Sequence, residues 1–303
     1  TMSNLAMNLA DQGKFNDAET LLQEVLVTRQ DIEGKEHQHT LATAKSLGAA
    51  MIGTGKFKEA EKLLIESLVL MKRVLGMEHT HTLISMRHLA SALREQGKYF
   101  EAEHISQEEI TLSGKRFGNN DLQFLVSINN LAKIHICQER FDIAEQMLRG
   151  AVNKQVERSG KNHPNTLAMR SNLAEALNGQ KKWVEAQQMH QDILASRLAV
   201  LGANHPDTLR SLVNLSNTLS GQGKHQEALQ GYEKALETYR DTLGPDHPHT
   251  LACEKHCHHS RRQVSEQTSP HLERDNAEAA SKTGHDTYRP EPELTKMMQD
   301  GHL

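Results

Sequence analysis

Apolar residues recur along most of the chain at the three- and four-residue spacing of amphipathic helices, in two segments per unit. In the second unit the first apolar face is made by Leu41, Ala44, Leu47 and Met51. The segment 53–56, Gly-Thr-Gly-Lys, then interrupts the pattern, and a second stripe runs from Phe57 to Met71 before Gly76 ends it. The pattern predicts two helices per unit, here called helix A and helix B.

The same unit is repeated every 42 residues without an insertion. Helix A opens with Leu41, Leu83, Leu125, Leu167, Leu209 and Leu251, and helix B carries Ala18, Ala60, Ala102, Ala144, Ala186 and Ala228. The glycine that ends each unit recurs as Gly34, Gly76, Gly118, Gly160, Gly202 and Gly244. A fixed period of this length is typical of a solenoid, in which each unit packs only on its neighbours.

The period divides the chain into units at about 1–36, 37–78, 79–120, 121–162, 163–204 and 205–246, followed by a terminal helix at 249–264. Residues 265–303 are rich in polar residues and lack an apolar stripe, so we expect a disordered tail after a repeat array at 1–264. Thr1 falls inside the first unit, so we expect either a fragment of a longer protein or an incomplete gene model.

Each unit joins the next through a turn whose best copies read Gly-x-x-His-Pro-x-Thr. Proline prevents the preceding helix from continuing, and Asn165 and Asp207 are expected to cap or charge-match the next one. The join before the fourth unit departs from this pattern, and we interpret the departure as drift rather than a hinge. In the helix B before it, Glu109 interrupts the apolar stripe, and we expect it to be solvated, as is its neighbour Glu108.

The order Leu-small-x-x-Leu, then Gly-Lys-aromatic-x-x-Ala, resembles the tetratricopeptide repeat (TPR). The longer period and the Leu-Gly-x-x-His-Pro-x-Thr-Leu join are similar to the repeats of kinesin light chains. They are also similar to the arrays at the C-terminal end of nucleotide-binding signalling proteins. The resemblance implies an all-α, right-handed superhelical solenoid of about six helix pairs plus a terminal helix, and a role in protein–protein interaction.

In the resembling family, helix-A asparagines hold the backbone of an extended peptide in the concave groove, because an amide both donates and accepts hydrogen bonds. Asparagine forms helices poorly, so its repeated use in helix A also needs a reason. The predicted groove residues are Asn4, Lys45, Arg87, His88, Arg94, Asn129, Asn130, Lys133, Asn172, Asn214 and Asn217. The basic residues among them favour an acidic peptide.

Composition limits the other functions. A net charge of −4 gives no basic excess for nucleic acid or a membrane surface. Three cysteines suggest no disulfide framework and a cytoplasmic location, and no signal peptide or long apolar run is present. We find no phosphate loop, no Gly-x-Ser-x-Gly elbow and no His-Glu-x-x-His pair, so we expect neither catalysis nor a cofactor.

Two groups of potential metal ligands have simpler explanations. The join histidines repeat with the period, which indicates structural turn residues. Cys253 and Cys257 share a helix face and offer two thiolates to zinc, but we expect surface or capping residues there and no metal.

Two functions therefore remain at this point. The chain is a scaffold that binds an extended peptide, or it is the sensor or oligomerisation arm of a larger nucleotide-binding (NB-ARC/NACHT-type) signalling protein. Self-association remains open.

Overall fold

A computed structural model describes residues 2–282 of the chain, with the side chains of residues 2–10 and 12–267. This part of the chain forms thirteen α-helices. They are α1 (Met2–Asp11), α2 (Phe15–Ile32), α3 (Gln38–Gly53), α4 (Phe57–Val74), α5 (Thr80–Glu95), α6 (Tyr99–Phe117), α7 (Leu122–Cys137), α8 (Phe141–Ser159), α9 (Pro164–Gly179), α10 (Trp183–Leu201), α11 (Pro206–Gly221), α12 (His225–Leu243) and α13 (Pro248–Lys282). Odd-numbered helices up to α11 are the predicted helices A, and even-numbered ones are the helices B. None of the helices from Met2 to Lys282 is both long and apolar enough to cross a membrane.

Each helix pair packs through small residues. The helix-B alanines are fully buried in all six units. On helix A the facing position is also small, and at Gly48 an added Cβ would lie 2.6 Å from Leu64 Cδ2. Around these close contacts, leucines from both helices fill the core, among them Leu22, Leu47, Leu64 and Leu83. The aliphatic core that the repeat pattern predicts is therefore confirmed.

The join between units is fixed by three interactions. Its glycine adopts φ of 81–91° and ψ of 160–172° at Gly118, Gly160, Gly202 and Gly244, a region that is open essentially to glycine alone. The threonine of the join donates back to the glycine carbonyl, as Thr166 Oγ1 does to Gly160 O at 2.8 Å. The join histidine caps the next helix, because its Nδ1 accepts the backbone N–H two residues on.

Asn165 and Asp207 are therefore not the N-caps of their helices, whereas Asp207 does place an acidic side chain in the first turn of α11, as charge-matching predicts. His163 and His205 occupy the N-cap positions, and their Nδ1 atoms accept from Asn165 N at 3.2 Å and Asp207 N at 3.1 Å. Before the fourth unit Asp121 takes the place of the histidine, and its Oδ1 accepts from Gln123 N at 2.8 Å. The divergent join thus keeps the geometry of the others, which supports drift rather than a hinge.

At alternate junctions an arginine side chain links the two helices that meet there. Arg29 donates to His39 O at 2.9 Å and to Thr43 Oγ1 at 2.7 Å, so the end of α2 is bonded to the start of α3. Arg197 makes the equivalent bonds to Asp207 O and Ser211 Oγ in the fifth junction. At the third junction the equivalent helix-B residue is Ser113. Arg87 of α5 takes the place of the arginine there and donates at 3.0 Å to Gln123 O, the carbonyl equivalent to His39 O.

The chain divides into two units, Thr1–Ser260 and Arg261–Leu303. Within the first, α13 covers the last helix pair: Cys253 and Cys257 are buried, and Cys253 Sγ lies 3.4 Å from Tyr232 O. The two cysteines are capping residues, and the expectation of a surface position is wrong. In the second, Arg262 Nε pairs with Glu266 Oε1 at 2.7 Å. The last helix ends at Lys282, beyond the predicted end at 264, and 283–303 of the predicted tail lie outside the described residues.

Candidate functional site

The helices A present one face to the inside of the array, and polar side chains occupy it. Most of the predicted groove residues are half-buried there, while Asn4 near the beginning of α1 is exposed. The register explains this placement. These side chains precede or follow the buried core leucine by a residue or two, and successive helical residues differ by about 100° in direction.

Asparagines on this face are linked from one unit to the next. Asn172 Nδ2 donates to Asn129 Oδ1 at 2.9 Å, and Asn214 Nδ2 donates to Ser171 Oγ at 3.2 Å. Among the described residues, Asn172 Oδ1 and Asn129 Nδ2 have no partner beyond this first bond, and the Asn130 side chain makes no hydrogen bond. The row therefore retains both donors and acceptors for a bound molecule.

A cavity of about 550 Å³ lies in front of these asparagines. Its lining includes six of the eleven predicted groove residues, namely Arg94, Asn129, Asn130, Lys133, Asn172 and Asn214. The size falls within the range of ligand-binding pockets in proteins. The structure thus brings together the central part of the predicted site.

The groove is narrower than an open solenoid would give, because the beginning and end of the array approach each other. His247 Nε2 lies 3.2 Å from Gly53 O, although the two residues are 194 positions apart. A Cβ added at Gly13 would lie 2.5 Å from Pro206 Cδ, and one at Gly55 would lie 2.6 Å from Pro248 Cδ. Periodicity cannot predict this closure, since it depends on a small rotation accumulated over several units.

Most charges on the inner face are paired. Arg94 pairs with Glu95, Lys133 pairs with Glu175 of the next unit, and Arg210 Nη2 lies 2.7 Å from Asp207 Oδ1. Burial opposes ionisation of Glu175, but Lys133 overrides it and lowers the pKa of the carboxyl. The predicted basic surface is therefore largely neutralised along α5, α7 and α9.

Lys45 is the exception on α3. It is half-buried and forms no ion pair or hydrogen bond within the described structure. Burial, together with the nearby Arg87, lowers the pKa of its ammonium group. His88 is its neighbour, and burial together with Lys45 and Arg87 lowers the pKa of that imidazole to about 3. This part of the inner face thus combines a lysine that pairs with no carboxylate among the described residues and a half-buried imidazole.

Two predicted groove residues serve the fold instead. Arg87 is 6% exposed, and it contacts Glu109, Gln123 and Ser127 between α5, α6 and α7. Glu109 is 1% exposed, which contradicts the expectation of a solvated carboxylate. Asn217 Oδ1 accepts the Tyr232 hydroxyl at 2.7 Å, so its amide supports the packing of α11 on α12.

Sequence reasoning missed a buried histidine beside this face. His190 of α10 has no exposed surface, and neither ring nitrogen has a hydrogen-bond partner. It lines a second cavity of about 390 Å³ with Glu175, Asn178 and Asn217. Burial lowers its pKa to about 4, although Glu175 nearby acts in the opposite direction. The 42-residue register marks this as a core position, because the equivalent helix-B residues in three other units are Leu22, Leu64 and Leu148.

These features define the class of the molecule: an all-α solenoid of six helix pairs with a polar inner face. A tetratricopeptide repeat family model matches residues 1–68, 47–114, 123–198, 165–241 and 207–257, and the chain belongs to this family. Proteins of this family are in general non-catalytic scaffolds for protein–protein interaction. A comparison with curated proteins finds no match.

Solved structures share the fold. TPR-like repeats from Podosopora anserina, described as kinesin light chain, are 23% identical, with a TM-score of 0.51 over 68% of this chain and 99% of theirs. BtubC (BKLC) from P. vanneervenii is 19% identical, with a TM-score of 0.53 over 77% of this chain and 92% of its own. The apo form of RapI is 10% identical, with a TM-score of 0.54 over 88% and 98%. The kinesin-light-chain-like repeat architecture predicted from the join is thereby confirmed.

Proposed function

We propose that this chain is a protein-interaction scaffold that holds an extended peptide segment against the inner faces of helices α3 to α11. The observation that carries the proposal is the row of half-buried asparagines in front of the 550 Å³ cavity, with amide atoms left over after the bonds between units are made. A backbone in extended conformation offers alternating donors and acceptors, which such a row matches irrespective of the peptide's sequence.

The ligand is proposed to carry an acidic residue, and Lys45 is where the support for this lies. The other inner-face cations, Arg94 and Lys133, already contact carboxylates of this chain. Lys45 has none, and an isolated cation loses hydration when it is half-buried. A carboxylate from the peptide supplies the missing countercharge at this end of the groove. The acidic residue is therefore expected to bind near α3, and not at the centre of the peptide.

The first units contact the last ones, and this contact limits how a peptide can enter the groove. The contact includes the hydrogen bond between His247 and Gly53 O and the close approach of Gly13 and Gly55 to two prolines, Pro206 and Pro248. We propose that this contact opens when the peptide enters, because a segment longer than a few residues does not fit inside the cavity. Helix-pair arrays change their pitch through small rotations at each junction, so the opening requires no unfolding.

The experiment is a titration of fluorescent peptides selected from an array of acidic, neutral and basic sequences. The double variant Asn130→Ala and Asn172→Ala is expected to weaken binding at every salt concentration, because hydrogen bonds to the peptide backbone are lost. Asn153→Ala is the matched control, since Asn153 lies exposed on helix α8. If both variants bind with the affinity of the parent chain, the inner face is not the binding surface.

Lys45→Gln tests the acidic residue separately. It is expected to weaken binding of acidic peptides mainly at low salt, where charge interactions are least screened. Lys154→Gln on the outer face of α8 is its control. Selection of neutral or basic peptides from the array would rule out the acidic ligand while leaving the groove itself intact as a proposal.

A further inference from the structure

The join between the first two units carries a cluster of metal-binding side chains far from the row of asparagines. Glu33 follows the last residue of α2, His37 is the N-cap of α3, and His39 lies in its first turn. All three side chains are exposed. Neither the repeat fold nor peptide binding requires a carboxylate at this place, so the cluster needs an explanation of its own.

The ligand atoms already stand close to coordination distance. Glu33 Oε2 lies 2.9 Å from His37 Nδ1, and Glu33 Oε1 lies 3.4 Å from His39 Nδ1. One ligand atom from each residue can be chosen so that all three lie within 4.8 Å of one another. Around tetrahedral zinc, with bonds of about 2.0–2.2 Å, neighbouring ligand atoms are separated by about 3.3–3.6 Å. Small side-chain rotations therefore bring all three atoms onto one ion.

The register shows that a single residue makes this join different. The position of Glu33 is occupied in the other units by Leu75, Phe117, Ser159, Leu201 and Leu243. The His-x-His pair itself recurs as His79 with His81 and as His247 with His249. In the join after α4 the structure records the same pair of imidazoles without a carboxylate contact. In the join between α2 and α3, the two-histidine turn thus has a carboxylate, that of Glu33, in contact with both imidazoles.

We propose that Glu33, His37 and His39 bind a divalent transition-metal ion of the zinc class. Two imidazoles with one carboxylate suit zinc, nickel or copper, whereas calcium and magnesium require mainly oxygen ligands. Three protein ligands leave at least one coordination position for water or for a side chain of a partner. The site is open to solvent and so is accessible to both.

Two features of the join reduce the affinity. The Nδ1 atom of His37 also accepts the backbone N–H of His39 at 3.3 Å, and a bound metal replaces this long capping bond. Arg29 lies nearby, where its guanidinium donates to His39 O, and its charge opposes that of the ion. The expected site is therefore an exchangeable one rather than a structural zinc site on which folding depends.

The test is isothermal titration calorimetry of the full chain with zinc chloride. Glu33→Gln and His39→Gln are each expected to lower the affinity of the strongest site by about tenfold or more, since even residues that only support a metal ligand can change affinity by that amount. Glu36→Gln is the matched control. It removes a carboxylate from the same turn that pairs with Arg73 on the surface and not with the histidines.

A gain-of-function variant tests the geometry directly. Leu75→Glu places a carboxylate before His79 and His81 in the register of Glu33, and we expect a second site of similar affinity. Circular dichroism of each variant confirms the fold. Binding by the parent chain that is no stronger than in Glu33→Gln indicates only the weak metal affinity of scattered histidines and overturns the proposal. If Leu75→Glu does not fold, the Glu33 and His39 variants decide the question alone.

Discussion

The buried ion pair between Arg87 and Glu109 allows a quantitative test of what polar groups do inside this array. Glu109 occupies a core position of helix B, where other units have Val25, Ala151 and Ile193. Its Oε1 lies 3.4 Å from Arg87 Nη1 and accepts from Ser127 Oγ at 2.8 Å. At an effective dielectric constant of about 20, the attraction at this distance is about 5 kcal/mol. Removing both charges from water costs several kcal/mol for each ion.

The two pKa shifts indicate which of these opposing contributions is larger. Burial raises the pKa of Glu109, although Arg87 acts to lower it. Burial also lowers the pKa of Arg87, although Glu109 acts to raise it. In both residues the charged form is therefore disfavoured relative to the unfolded chain. We infer that the pair is less stable than an apolar contact of similar volume would be.

Three variants separate the contributions. Glu109→Ala leaves the guanidinium without its countercharge and is expected to cost about 3–5 kcal/mol. Glu109→Gln removes the countercharge as well but keeps an acceptor for Ser127, so we expect a smaller loss than for Glu109→Ala. The double variant Arg87→Met with Glu109→Leu is expected to be as stable as the parent, or more stable by up to about 4 kcal/mol.

The assay is urea unfolding followed by circular dichroism, comparing midpoints between variants of equal slope. A second readout comes from pH. The folded pKa of Glu109 lies above its unfolded value, so its contribution to stability is full below the unfolded pKa, near 4.5, and is lost as pH rises through the folded pKa. The double variant lacks this loss. A double variant that is less stable than the parent by several kcal/mol would contradict the inference that burial of the charges outweighs their attraction.

Three further variants test other parts of the fold by thermal unfolding. Ala144→Leu overfills the contact between α7 and α8 and should cost about 1–3 kcal/mol; an unchanged midpoint would contradict the buried position of the alanine. Lys181→Gly relieves a non-glycine φ of 61° and should stabilise by about 0.5–1 kcal/mol; a loss of stability would contradict the strain. His190→Leu should stabilise, because two unpartnered ring nitrogens are removed. The pKa of His190 is about 4 in the folded chain and about 6.5 in the unfolded chain. The free energy of unfolding is therefore unaffected by this group above about pH 6.5 and falls by about 3 kcal/mol as pH drops towards 4. His190→Leu should remove that acid sensitivity, and an equal loss in both proteins would argue against it.

The repeat pattern predicted the fold because each of its elements is decided locally. Helix stripes, turn glycines and small contact residues depend on neighbours within about one unit, so a 42-residue register contains them all. The exceptions in the register also carried information that was not used. Glu109 and His190 both stand at positions where most other units have aliphatic residues, and both are buried.

The candidate site was predictable only in part for a different reason. Direction around a helix separates inner from core positions, which placed Asn130 and Asn172 correctly beside the cavity. It does not show how far a long side chain bends, and Arg87 turns from the inner face into the core to reach Gln123. The contact between His247 and Gly53 depends on the curvature of the whole array, which no local pattern encodes.

Locating a bound peptide on the chain is the most direct test of whether the inner face is the binding surface. A peptide selected from the array and carrying a photoreactive group is cross-linked to the full chain, and the attached residues are identified by mass spectrometry. We predict cross-links in the inner faces of α3, α5, α7, α9 and α11, and competing unlabelled peptide is expected to remove all of them. Cross-links confined to the outer helices α6, α8 and α10, or to the joins, would contradict this prediction.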